Sequence, residues 1–261
     1  MKKLLFFLLC FYLFTYKGYA ISNSASSYIL MDMDTKVVME GKNIHSSRYI
    51  ASISKIMTCI IAIENGQLDR NVEVTNDVLK AVGSSIYIEV GEHISLKDLL
   101  YGMMMRSGND AAIMVALTIS GSMDNFVKLM NEYAIKIGMK NTVFYNSHGL
   151  EEASGKGNTS TAYDMALLTS YAMQNKVFRK IFSTRQYTAK SDKKTYNWQN
   201  KNKLLKYDYI TGGKTGYTIK SRRTLVTTAI INGINVVIVT LNYANDWQDH
   251  LTLFNYVNKM Y

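Results

Sequence analysis

Ser52-Ile53-Ser54-Lys55 opens an apolar, helically spaced segment and places an amine three residues after a hydroxyl. A serine hydroxyl is a weak nucleophile until a base takes its proton. A lysine in the first helical turn lies on the same face and reaches that hydroxyl. It acts as a base only when neutral, which requires burial or a nearby positive charge to lower its pKa. The helix N-terminus also points backbone N–H groups at the site, where they can hold an oxyanion. Alone, the pattern is weak. Ser191-Asp192-Lys193-Lys194 repeats it in a polar stretch without apolar periodicity. A simple helix-capping serine explains Ser52 equally well when it is taken by itself.

Two further groups could share the chemistry. In Ser107-Gly108-Asn109 the hydroxyl can pass a proton and the amide can both donate and accept hydrogen bonds. Without context it reads better as a helix-breaking turn, with Asn109 or Asp110 capping the next helix. Gly213-Lys214-Thr215-Gly216-Tyr217 invites a phosphate-loop reading. That pattern needs glycine where Asp208 stands, and no helix follows. A lysine, a hydroxyl and a glycine on an edge strand instead suit an anionic substrate whose backbone approaches closely. His45, His93, His148 and His250 show no metal-ligand spacing. His148, in Asn146-Ser147-His148-Gly149, reads as a turn residue, and Met103 to Met105 as core. There is no Gly-x-Ser-x-Gly elbow.

These groups need elements to hold them. Residues 28–31 and 36–39 read as two short strands around Asp34-Thr35. Residues 52–64 carry apolar side chains at helical spacing, closed by Asn65-Gly66. Ser95-Leu96-Lys97-Asp98 is a capping box for a helix to about Met105, and Asp110 starts another to about Ile119. Amphipathic helices are expected over 124–139 and 161–174, and a last one over 247–259. Residues 190–206 read as a solvated loop. Leu225–Ile231 and Ile234–Leu241 are β-branched runs joined by Asn232-Gly233, a strong hairpin signal. Two strand sets far apart in sequence pack most economically into one antiparallel sheet, with the middle helices as a second lobe. The expected class is α+β, with the site in the cleft between lobes. The lobe limits expected are 21–90 with 205–261 for the sheet and 91–204 for the helices.

Composition narrows the setting. The chain of 261 residues is 48% hydrophobic and 19% charged, which excludes a disordered chain, a collagen and a polytopic membrane protein. Two cysteines exclude a disulfide scaffold and a cysteine-based zinc site. There is no proline, where about 5% is usual. Met1-Lys2-Lys3, an apolar run from Leu4 to Phe14 and Gly18-Tyr19-Ala20 have the layout of a secretory signal peptide over residues 1–20. An uncleaved N-terminal anchor is the lesser alternative. Cleavage would remove Lys2, Lys3 and Lys17 from a chain of net charge +10 and leave Cys59 as the one cysteine. An extracytoplasmic location is expected, and the positive charge favours peripheral association with anionic membrane or wall polymers. Nucleic acid is disfavoured as a partner because the basic residues are scattered.

A serine–lysine pair, then Ser-x-Asn, then Lys-Thr-Gly, in that order after a signal peptide, is far more specific than any member alone. The sequence resembles the penicillin-binding proteins and serine β-lactamases, and most closely the low-molecular-mass D-alanyl-D-alanine carboxypeptidases. The resemblance covers roughly residues 25–260 and includes Ala51-Ser52-Ile53-Ser54-Lys55, Arg106-Ser107-Gly108-Asn109-Asp110, Asn146-Ser147-His148-Gly149 and Ser160-Thr161-Ala162-Tyr163-Asp164. It implies a β-lactamase/transpeptidase-like fold, with an antiparallel sheet flanked by helices and an all-helical lobe. It implies that Ser52 attacks the bond between the terminal D-alanines of a peptidoglycan stem peptide and Lys55 takes its proton. The N–H groups of Ser52 and Tyr217 would form the oxyanion hole. Ser107 would relay a proton to the leaving D-alanine, and Asn109 would position Lys55 and substrate. Lys214 and Thr215 would hold the terminal carboxylate, with Gly216 and Tyr217 lining the same strand. β-Lactams would acylate Ser52, and no cofactor or metal is implied.

Departures from the family pattern bear on detail. Ile50 and Ser147 stand where the family usually has proline, and Asp246-Trp247 where an arginine and an aromatic are common. A carboxylate-binding arginine is therefore either missing or replaced by Arg222 or Arg223. Ending at Tyr261, the chain is expected to lack the β-rich domain and membrane anchor of many relatives. The alternatives are a class A-like β-lactamase, a D-Ala endopeptidase and a catalytically silent wall-binding homologue. The first lacks support, since Glu151-Glu152 is not followed by the Leu-Asn of a Glu-x-x-Leu-Asn loop.

Overall fold

In a computed structural model, which describes residues 25–244 and 246–260, the chain opens with β1 (Ser27–Asp32), β2 (Val38–Lys42) and β3 (Arg48–Tyr49). The expected signal peptide lies outside the described residues. A 3-10 turn at Ala51–Ser54 leads into α1 (Lys55–Asn65), then β4 (Asn71–Glu73) and β5 (His93–Ser95). Helices α2 (Leu96–Arg106), α3 (Asn109–Ser120) and α4 (Met123–Ile137) follow, then β6 (Thr159–Ser160), α5 (Ala162–Ala172) and α6 (Lys176–Ser183). The chain closes with β7 (Gln186–Lys190), β8 (Thr195–Gln199), β9 (Ile210–Thr218), β10 (Arg222–Ile231), β11 (Ile234–Tyr243) and α7 (Asp246–Met260).

The two ends of the described chain build one antiparallel sheet in the order β2-β1-β11-β10-β9, as expected of two strand sets far apart in sequence. Asn232 (φ 50°) and Gly233 (φ 82°) both take positive φ between β10 and β11, the conformation that an Asn-Gly hairpin turn requires. Leu225, Val226, Val237 and Val239 are fully buried, so this part of the sheet is covered on both faces. Helix α7 packs on β10 and β11, with Leu253, Phe254 and Val257 inward. The side chain of Ser95 caps α2 by accepting the Asp98 N–H at 3.0 Å, as the capping box predicts.

Two expectations change on contact with the structure. Residues 190–206 are not a solvated loop: the β7–β8 hairpin and a 3-10 turn at Lys203–Lys206 occupy the region, with Tyr196, Trp198, Leu204 and Leu205 buried. The lobe limits drawn from chain order are also coarser than the packing. Helix α1 lies among α2, α3, α5 and α6, while α5 packs directly on β1 and β11. Cys59 is fully buried in α1, where burial pushes its thiol pKa up.

His250 of α7 is fully buried, with its ring between the hydroxyls of Thr227 (2.6 Å from Nδ1) and Thr240 (3.0 Å from Nε2). Burial lowers its pKa from 6.5 to about 3. The folded chain keeps the ring neutral where the unfolded chain binds a proton. This stabilisation is present above the unfolded value of 6.5 and is lost as pH falls toward 3. Urea midpoints should fall across that window. Replacing His250 with Gln should flatten part of the slope, and an unchanged slope would exclude His250 as its source.

Candidate active site

β3 delivers the chain to Ser52. The Ile50 N–H donates to Asn158 O (3.1 Å), and the Ile50 carbonyl accepts from Thr224 Oγ1 on β10 (3.0 Å). Ala51 then takes a left-handed backbone (φ 48°), unusual for a residue with a Cβ. Ser54 Oγ holds the Ala51 carbonyl at 2.7 Å. Gly149, itself at φ 94°, passes so close to that carbonyl that a Cβ there would overlap it. Ser52 therefore sits in a short 3-10 turn before α1, rather than within α1, and is partly exposed. Strained backbone of this kind persists only where its surroundings over-determine it.

Lys55 is fully buried. Its Nζ has three acceptors: Ser52 Oγ at 3.0 Å, Asn109 Oδ1 at 2.7 Å and the His148 carbonyl at 2.6 Å. A neutral amine has two N–H bonds and one lone pair. The amide oxygen and the carbonyl can only accept, so they take the two N–H bonds. The lone pair is then left facing the one partner that can donate, the Ser52 hydroxyl. Burial first, then the charges of Lys214 and Lys201, hold the Lys55 pKa well below its ordinary value, against an opposing pull from Asp110.

Ser107 ends α2 in the left-handed region (φ 65°, ψ 31°), and Asn109 begins α3. The Asn109 Nδ2 donates to Val82 O (2.6 Å) and its backbone N–H to Ser84 O (2.7 Å). On β9, buried Lys214 donates to Ser107 Oγ (3.0 Å) and to the Thr215 carbonyl (2.7 Å). Desolvation, then the Lys201 charge, lower its pKa to about 7. Thr215 is partly exposed and Tyr217 is exposed, both on the face of β9 opposite Lys214. A Cβ on Gly216 would sit 2.9 Å from the Ser52 nitrogen and would strike Thr224 Oγ1, so only glycine lets β9 approach the serine this closely. Direct bonds thus link Ser52, Lys55 and Asn109, and separately Lys214 and Ser107. Gly216 brings β9 against Ser52.

Three participants escaped the sequence reasoning. The first is the His148 carbonyl: the backbone of this residue, not its side chain, bonds Lys55. The His148 ring stays neutral, because its Nδ1 accepts the Leu150 N–H (3.1 Å), and burial, then the charge of Lys55, lower its pKa to about 3. The second is the loop at residues 82–84, whose backbone holds Asn109. The third is Lys201, in the stretch taken for solvated loop. Its N–H donates to Met105 O (3.1 Å) and its Nζ to Ser84 Oγ (3.1 Å). As a cation it lowers the pKa of both Lys55 and Lys214. Lys201→Gln should therefore raise both, and any reaction at Ser52 that needs a neutral Lys55 should have its acid limb moved to higher pH. The loss at neutral pH should be up to about tenfold, equivalent to 1.4 kcal/mol of unfavourable protonation. A stopped-flow pH profile with the limb unmoved would contradict this.

The profile of the D-alanyl-D-alanine carboxypeptidase family matches residues 16–245 of the chain. The chain belongs to that family. DacF of Bacillus subtilis, a D-alanyl-D-alanine carboxypeptidase, is 35% identical over 216 residues, covering 80% of this chain and 55% of that protein. The chain spans about half the length of the curated relatives it first matches. The crystal structure of D-alanyl-D-alanine carboxypeptidase from Mycobacterium tuberculosis is 29% identical, with a TM-score of 0.84, covering 89% of this chain and 90% of that one. A mutant DD-transpeptidase of Streptomyces is also 29% identical, with a TM-score of 0.83, covering 89% and 96%. The α+β, transpeptidase-like architecture is thus that of a D-alanyl-D-alanine carboxypeptidase.

This member of the carboxypeptidase family replaces two expected prolines with residues that bond. Ile50 uses an N–H that proline lacks, and Ser147 Oγ donates to Ala112 O (2.9 Å). Of the arginine candidates, Arg223 lies across from Tyr217 on β10, its Nη1 3.8 Å from Asp246 Oδ1. Arg222 takes a left-handed backbone (φ 55°) at the start of the strand. Glu151 accepts from Thr218 Oγ1 (2.6 Å) and so fastens its loop to the end of β9.

Proposed function

We propose that this chain is a serine-type D-alanyl-D-alanine carboxypeptidase that removes the terminal D-alanine from peptidoglycan stem peptides through an acyl-enzyme on Ser52. The observation that carries the reading is the three-acceptor setting of Lys55, which leaves a lone pair for the Ser52 hydroxyl. Lys55 takes the Ser52 proton as Oγ attacks the carbonyl of the penultimate D-alanine. The N–H groups of Ser52 and Tyr217 hold the oxyanion. The proton that Lys55 took passes by way of the Ser107 hydroxyl, beside Lys214, to the departing amine as the C–N bond breaks, which leaves Lys55 neutral and Ser107 protonated again. Lys214 and Thr215 hold the terminal carboxylate. Water then attacks the ester, with Lys55 again as base, and frees Ser52. A β-lactam mimics the reacting amide and its carboxylate, but its leaving amine stays tethered to the acyl group after the ring opens, so the ester persists.

Sheet and helical lobes meet at this cleft, and the catalytic region follows a signal peptide over residues 1–20. The site of action is extracytoplasmic, in wall or periplasm, where the positive surface favours anionic membrane or wall polymers. Incubation with a stem pentapeptide should release free D-alanine. No release would favour a silent wall-binding homologue. Release from cross-linked dimers alone would favour an endopeptidase. Turnover of many penicillin molecules per enzyme would favour a β-lactamase.

A further inference from the structure

Asp110 follows Asn109 on the first turn of α3 and is 2% exposed, and among the described residues no lysine or arginine lies within ion-pair distance of it. Its carboxylate is instead satisfied by one loop and its own helix. Oδ1 accepts the N–H of Ile86 (3.0 Å) and Ala111 (2.8 Å). Oδ2 accepts the N–H of Tyr87 (2.8 Å) and Ile88 (3.3 Å), and the Ser85 hydroxyl. A buried carboxylate is costly unless fully hydrogen-bonded, and bonds to an ionised acceptor are among the strong ones. The Asp110 charge therefore clamps residues 85–88 onto the start of α3, with Tyr87 held at φ 62°.

The same loop carries the groups that fix Asn109. Val82 O takes its Nδ2 and Ser84 O takes its backbone N–H, while Gly83 (φ 80°) supplies the left-handed turn between those two carbonyls. A side-chain amide is nearly symmetric in shape, so its neighbours decide which end faces which way. With Oδ1 toward Lys55, the amide accepts a bond from Nζ. Turned over, it would present N–H groups to Nζ and occupy the lone pair that the Ser52 hydroxyl needs. The Val82 carbonyl excludes that orientation, because it can only accept.

We propose that Asp110 is a positioning residue: by anchoring the 82–88 loop it fixes the Asn109 amide with its oxygen on Lys55. This rests on the reading of Lys55 and Asn109 as parts of the acylation site. A plain helix-capping role would predict lost stability without a specific link to Asn109.

A double-mutant cycle separates the two. Penicillin acylation of Ser52 is timed by stopped flow in wild type, Asp110→Asn, Asn109→Ala and the double variant. Asp110→Asn should slow the plateau acylation rate by about ten- to a hundredfold. In the Asn109→Ala background it should add almost nothing. A full, additive loss in that background would overturn the proposal. Losing only the carboxylate charge would move the acid limb to lower pH and spare the plateau, because Asp110 opposes the lowering of the Lys55 pKa. That outcome would also overturn it. Ser85→Ala, which removes one clamp bond at a partly buried site, should show a smaller loss in the same direction and covers the event that Asp110→Asn fails to fold. Hydrogen exchange of the Asn109 side-chain amide, followed by NMR, needs no activity: it should quicken in either clamp variant, and unchanged exchange would overturn the proposal. A wild type that never acylates would sink the carboxypeptidase reading, while the exchange measurement would still decide the clamp.

Discussion

Ser52→Ala is expected to abolish both D-alanine release and covalent labelling by penicillin while leaving the fold intact. The change removes the one oxygen to which the acyl group attaches, so no weaker covalent route remains at that position. Loss of a nucleophile acting within a catalytic unit costs on the order of 10⁶-fold in turnover. The cost to stability should be small. Ser52 is partly exposed, and among the described residues its Oγ bonds to Lys55 alone. Surface-like substitutions of this kind usually stay within about 0.5 kcal/mol. Lys55 would keep Asn109 Oδ1 and the His148 carbonyl as partners. Unchanged circular dichroism and thermal midpoint, with no labelled band on a gel, is the predicted pair of results. Persistent labelling of the variant would mean that another hydroxyl is acylated.

Lys55→Met should be the second most damaging change, and it should damage two properties at once. Removing the base should slow acylation by about 10²–10⁴-fold. The same change leaves Asn109 Oδ1 and the His148 carbonyl without their donor, at about 1–3 kcal/mol for each buried group left unpaired. Lower stability should therefore accompany the lost rate, unlike Ser52→Ala. In wild type the base must be neutral, so acylation should be present above the lowered Lys55 pKa and lost below it. Lys214 must be cationic to grip a carboxylate, so kcat/KM for peptide should decline as pH rises through its value of about 7 in the free enzyme. Bound carboxylate would raise that value, which places the alkaline limb in KM more than in kcat. A flat acid limb in wild type, or an acid limb that survives unchanged in Lys55→Met, would contradict the assignment of the base.

Much of this site is legible in the sequence because its side chains are carried by strongly patterned elements. Asn232-Gly233 fixes the hairpin, and helical spacing fixes α1 behind Ser52. What stayed hidden has identifiable physical causes. The His148 carbonyl has no signature in sequence, because every residue has a carbonyl and only the fold aims this one at Lys55. Lys201 follows the β7–β8 hairpin, whose charged and polar residues conceal its alternation. There Tyr187 and Ala189 alternate with polar residues, as do Tyr196 and Trp198, giving β7 and β8 a period-two pattern. The polar residues of the opposite face, Gln186, Thr188, Lys190, Thr195, Asn197 and Gln199, mask it. Helix α6 was also passed over, although Asn175 caps it by accepting the Val177 and Phe178 N–H groups, and Phe178, Ile181 and Phe182 form its buried stripe. The 3-10 turn at Ser52 departs from the expected helix start because Ala51 must turn to meet Gly149 and β9, a long-range constraint that local periodicity does not encode.

Mass spectrometry of the intact protein after brief exposure to penicillin, followed by peptide mapping, tests the central claim most directly. One penicilloyl group per chain on the peptide containing Ser52 is the predicted result. An adduct on Ser107 or Ser191, or none on a folded protein, would contradict it.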